Sequence, residues 1–143
     1  MSRAALAVLL LGAAATSALA AHRDWIGTAA CGACHPAELA AWQATPHAQT
    51  RARFATKPLA QCLACHGTGE APAGESAVEV GCEACHGAGA AYAPDDVMRD
   101  PPVARAMGLV DLSTPAARAS ACATCHAAFQ PRPFDSNAPV HPL

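Results

Sequence analysis

All eight cysteines of this 143-residue chain fall into one repeated pattern, Cys-x-x-Cys-His, and none is left over. The four copies are Cys31-Gly32-Ala33-Cys34-His35, Cys62-Leu63-Ala64-Cys65-His66, Cys82-Glu83-Ala84-Cys85-His86 and Cys122-Ala123-Thr124-Cys125-His126. Their uneven spacing along the chain is not that of a solenoid. The pattern therefore constrains the fold through local chemistry repeated four times.

Several chemistries use paired cysteines. A disulfide framework explains an even count in a short exported chain, but not a histidine after every second cysteine. Zinc ribbons need no histidine after each pair. A thiol-redox Cys-x-x-Cys is rarer still in quadruplicate. Covalent haem attachment uses every residue of the pattern. On a helical turn, cysteines at i and i+3 and the histidine at i+4 share one side. Two thioethers then hold the porphyrin edge while the imidazole reaches the iron. The reading is four c-type haems, bound through Cys31, Cys34, Cys62, Cys65, Cys82, Cys85, Cys122 and Cys125. His35, His66, His86 and His126 are the proximal iron ligands.

Composition supports a core that is not made of protein. Ser2 and Arg3, the apolar run Ala4–Ala15 and the small-x-small sequence Ala18-Leu19-Ala20 read as a secretory signal over residues 1–20. The expected mature domain is 21–143. It holds six Val, one Ile, six Leu and three Phe, below the roughly one-fifth share at which a chain normally builds its own core. A mature balance of 8 Lys and Arg against 11 Asp and Glu does not favour disorder. Haem supplies the missing apolar bulk. The composition argues against a large apolar-core enzyme, a basic nucleic-acid binder and a polytopic membrane protein. No cysteine follows the apolar run, so a lipid-modified N-terminal cysteine is not expected.

The predicted fold is mainly α with long loops and little or no β, wrapped around haems. Pro36 starts a helix over Ala37–Ala44, and Thr45-Pro46 starts a second short helix carrying His47. Residues Gly67–Ala77 read as an exposed loop. Val78-Glu79-Val80 reads as a short strand. A short helix over Val103–Met107 ends at Gly108. Ser113-Thr114-Pro115 starts a helix over Ala116–His126. The proline-rich tail from Pro131 is extended or irregular.

Two stretches carry a family resemblance. Cys31–His47, with Trp42-Gln43-Ala44-Thr45-Pro46-His47, resembles the first-haem region of the tetrahaem cytochrome c-554 family. Val80-Gly81-Cys82-Glu83-Ala84-Cys85-His86-Gly87-Ala88-Gly89 resembles its third-haem signature. The resemblance implies close, partly stacked haems and periplasmic electron shuttling, in the best-known case from hydroxylamine oxidation to the respiratory chain. It implies that His47 serves the fourth haem, opposite His126. It also implies that a histidine after the fourth motif serves the third haem, and His141 is the match. The family's distal histidine after the third motif is missing here. Met98 falls nearest that place as sixth ligand of the first haem, with Met107 and His22 as the other candidates. The family counterpart of the second haem is five-coordinate, and Gly67-Thr68-Gly69 are small enough to leave its distal side roomy.

Three functions are weighed from these residues. The first is a soluble periplasmic electron carrier. The second is an enzyme acting on a small ligand such as nitric oxide at the His66 haem. The third is a subunit of a haem filament, with His22 donated across the interface. Nothing looks catalytic: there is no Cys-x-x-Cys-Lys variant, Tyr92 is the only tyrosine and Lys57 the only lysine. Acids such as Glu38, Glu70, Glu75 and Glu79 read as solvated surface. With eight ionised propionates and four ferric irons added, the oxidised net charge is roughly −7. The expected partner is a redox protein with a basic docking patch, with no nucleic acid and no stable membrane insertion after signal cleavage.

Overall fold

The computed structural model describes residues 25–54, 60–69, 78–127 and Asp135. These are mainly helical and contain no strand. Seven helices follow in order: α1 (Thr28–Cys34), α2 (Pro36–Gln43), α3 (Ala60–His66), α4 (Cys82–His86), α5 (Asp95–Met98), α6 (Pro101–Ala106) and α7 (Pro115–His126). A 3-10 turn, Arg51–Arg53, lies between α2 and α3. None of the described helices is long and apolar enough to cross a membrane.

Local chemistry explains the helix boundaries. The ring of Pro36 disfavours helical backbone at the preceding residue. His35 accordingly sits at φ −116°, ψ 60°, between α1 and α2. Asp100 caps α6 by accepting from the Val103 N–H. Thr114 caps α7 by accepting from the Ala117 N–H, with Pro115 in the first turn. The helices are short because their packing is local. α1 packs on α2 and α5 on α6, while α1 meets α4 and α3 meets α7 across the chain. Leu39 of α2 lies directly on Gly32 of α1.

The protein core is small. Among the described residues the buried apolar side chains are Trp42, Val78, Tyr92 and Ala104. Polar groups fill the rest: Thr28, Thr50 and Glu83 are buried, and no buried side-chain nitrogen or oxygen lacks a hydrogen-bond partner.

Two local expectations are corrected. Val78–Val80 forms no strand, because its polar groups are taken by side chains and a loop. The Glu79 carbonyl accepts from the Thr68 hydroxyl (2.7 Å), the Val80 carbonyl from the Trp42 indole (2.9 Å), and the Val80 N–H reaches the His47 carbonyl (3.4 Å). Thr45-Pro46 starts no helix either. The Thr45 hydroxyl and N–H both donate back to the Trp42 carbonyl (2.7 and 2.8 Å), so Thr45 closes α2 and residues 46–50 run on as turns. The expected signal segment, His22, His141 and most of the proline-rich tail lie outside the described residues.

Candidate functional site

In the second, third and fourth motifs the helix runs through the histidine, so both sulfurs and the imidazole share one helical face. The first motif differs, because Pro36 takes His35 off the end of α1. Its partner also differs: the Glu38 carboxylate is 4.0 Å from His35 Nδ1. Both side chains keep much of their exposure, in line with the reading of Glu38 as a solvated surface acid.

The first and third motifs come together. The Cys31 and Cys82 side chains lie close together where α1 packs on α4. Burial, then the neighbouring Cys82 and Glu83, push the Cys31 thiol up to about 11. Burial likewise raises Cys82 and Cys85. Thiols so raised resist oxidation, and all eight are free of disulfides. Beside them lies Glu83, 2% exposed. Its carboxylate accepts from the N–H groups of Ile26 (3.0 Å), Gly27 (2.8 Å) and Gly89 (2.6 Å). Gly89 must be glycine for this approach, since a Cβ there would sit 2.9 Å from Ile26 Cδ1 and 3.0 Å from Glu83 Oε1.

A second acid binds the same two segments. Glu79 accepts from the Thr28 hydroxyl at 2.7 Å, so it is no solvated surface acid. The buried Tyr92 hydroxyl donates to the Gly87 carbonyl at 2.7 Å, and burial raises its pKa well above the usual tyrosine value.

His86 has a fixed outer partner. Its Nδ1 is 3.1 Å from the Val110 carbonyl, and the Val110 N–H returns a bond to the His86 carbonyl at 2.9 Å. An Nδ1–H held by a carbonyl leaves Nε2 as the ligating nitrogen. Nothing in the sequence around Val110 signals this role.

The second and fourth motifs form the other cluster. The Cys65 and Cys125 side chains lie close together where α3 packs on α7, and burial with Cys65 pushes Cys125 up to about 11. The His47 and His126 rings stand 6.2 Å apart, centroid to centroid, at 76°. Burial, and then His126, lower the His47 pKa, which keeps its lone pair available. The Phe54 ring meets the His66 ring edge to face at 5.3 Å. Phe54 was not singled out in the sequence, where an isolated phenylalanine reads as ordinary packing.

Cys85 lies within charge range of Cys122 and Cys125, which joins the two clusters. Met98 ends α5 half-buried, and its neighbour Arg99 is within charge range of Cys34 in the first motif. Met107 is 47% exposed. Gly67-Thr68-Gly69 is not open space. The Thr68 hydroxyl bridges Glu79 and the Gly81 N–H, and the Trp25 indole covers Gly69, where a Cβ would sit 2.9 Å from the ring.

Paired thiols with a following imidazole, repeated on short helices, fit covalently held haem. Residues 30–87 match the family described as cytochrome c554 and c-prime, which bears out the resemblance drawn from the Trp42–His47 and Val80–Gly89 stretches. The match spans the first three motifs, and the fourth lies beyond it. No curated protein and no solved structure matches the chain.

Proposed function

We propose that this chain is an exported, periplasmic tetrahaem electron carrier, a reading supported by the match of residues 30–87 to the cytochrome c554 and c-prime family, whose chemistry is covalent haem c and electron transfer. Residues 1–20 are its signal and 21–143 its haem domain. Each Cys-x-x-Cys pair holds one haem c, and His35, His66, His86 and His126 are the proximal ligands. His47 completes the fourth iron, His141 the third and Met98 the first. When bound, each haem supplies a one-electron iron couple.

One observation carries the reading: the helix of the first motif packs on that of the third, and the helix of the second on that of the fourth, with Cys85 of the third motif near Cys122 of the fourth. Four attachment points in one unbroken series are what a short electron path requires. The Val110 carbonyl orients His86, and Phe54 packs against His66. The acidic surface suits a redox partner with a basic docking patch, so association slows as salt rises. Such redox encounters are usually small and short-lived.

The test is a pyridine haemochrome count together with the intact mass of the exported protein. Four covalent haems are expected, and fewer overturn the reading. A second reading is small-ligand binding at the His66 haem, the iron for which no sixth ligand is assigned above. Carbon monoxide or nitric oxide added to the reduced protein shifts one haem in four if that iron is open, and none if it is capped.

A further inference from the structure

We propose that Glu83 is a potential-setting residue for the first and third haems, biasing that pair toward the ferric state relative to the fourth and second. The proposal rests on the tetrahaem reading above. Glu83 sits inside the third motif, directly after Cys82, and its carboxylate is within charge range of Cys31 in the first motif. It is 2% exposed, so water screens its charge poorly. Its three partners are backbone N–H groups from Ile26, Gly27 and Gly89. Amide dipoles stabilise a carboxylate without cancelling its charge, and no lysine or arginine is bonded to it among those contacts. A net negative charge beside a redox centre stabilises the oxidised, more positive form.

The geometry also explains why the residue is an acid. An ionised carboxylate is acceptor only, which three converging N–H groups require. A glutamine would turn an NH2 group toward those donors. Mechanical support alone is needed on any short helix, but this charge lies only where two attachment segments meet. The second–fourth cluster has no counterpart among the described residues: its contacts are the Phe54–His66 and His47–His126 ring pairs. An electron entering the chain is thereby favoured at the fourth–second end.

The test is a spectroelectrochemical titration of wild-type, Glu83→Gln and Glu83→Asp holoproteins, followed by EPR of the individual haems. In Glu83→Gln two potentials rise and two stay, and Glu83→Asp stays close to wild type. The haem whose low-spin signal disappears in His47→Ala belongs to the unmoved pair. Unshifted potentials, or a rise shared by all four haems, overturn the proposal. If Glu83→Gln does not assemble, redox-difference infrared spectra of the wild type with 13C-labelled glutamate decide. A carboxylate band that changes as two of the four haems titrate supports the proposal, and its absence overturns it. A haem count below four overturns the tetrahaem reading itself, whereas four haems with unmoved potentials overturn only the role of Glu83.

Discussion

The first–third and second–fourth clusters solve the same problem with different materials. Around the first and third motifs, Glu83, Glu79, Thr28, Thr68 and Trp42 cross-link separate segments of the chain through hydrogen bonds of 2.7–3.0 Å, and Tyr92 ties down the turn after the third motif. Around the second and fourth, the contacts are ring against ring and thiol against thiol, and α7 buries none of its residues. The difference teaches that a haem motif needs little from its surroundings to be recognisable. It needs a great deal to be rigid. One end of the molecule is held by the protein's own polar network, and the other depends on what the motifs bind.

The sharpest break in that comparison is to withhold haem. Expressed without haem attachment, the chain is expected to lose most of its helical circular dichroism, because so few apolar side chains are buried by protein alone. The residual signal and hydrogen-exchange protection should concentrate in residues 26–50 and 78–93. Uniform protection, or a fully helical apoprotein, would erase the distinction between the clusters.

Next in size is a pair of truncations in the holoprotein. Trp42→Ala removes a buried indole and its bond to the Val80 carbonyl, and should cost about 3–5 kcal/mol. Phe54→Ala removes a half-buried ring with one edge-to-face contact, and should cost about 1 kcal/mol. Chemical denaturation of both variants checks the ranking, and equal losses would contradict it.

A more local effect is expected at His47. Replacing it by alanine should convert one low-spin haem to high spin and open it to carbon monoxide, while hydrogen exchange in the first–third cluster stays unchanged. EPR and optical titration read this directly. Four unaltered haems would remove His47 from the ligand set.

The smallest effect concerns an acid outside both clusters. The Ser113 hydroxyl and N–H, with Arg105, hold the Asp111 carboxyl below its usual value. A carboxyl with a depressed folded-state pKa contributes stability above its unfolded value, about 3.9, and loses it as pH falls through the lower folded value. The melting-temperature gap between wild type and Asp111→Asn should therefore be slight at neutral pH and close below about pH 4. A gap that widens on acidification would reverse the assignment.

Legibility in the sequence followed the range of each interaction. The helix start at Thr114-Pro115, the Pro36 start of α2 and the mainly helical fold rest on residues within a turn of each other, and they could be read directly. The strand over Val78–Val80 does not form because groups from other segments, the Trp42 indole and the Thr68 hydroxyl, claim its carbonyls, whereas after Thr45 the local return bond to the Trp42 carbonyl wins over a new helix start. Glu79 reads as solvent-facing for the same reason as the strand: its partner, Thr28, lies 51 residues away.

The sequence by itself determined how many Cys-x-x-Cys-His motifs the chain has and what each offers chemically, because each is five consecutive residues. The tertiary structure alone decided which motifs neighbour each other, which carbonyl steers His86 and where a charge is buried. The Glu83 contacts bridge 56 and 57 residues, and His86 to Val110 bridges 24. Separations of that length are closed by packing rather than by local preference, so no short stretch of sequence carries their signature.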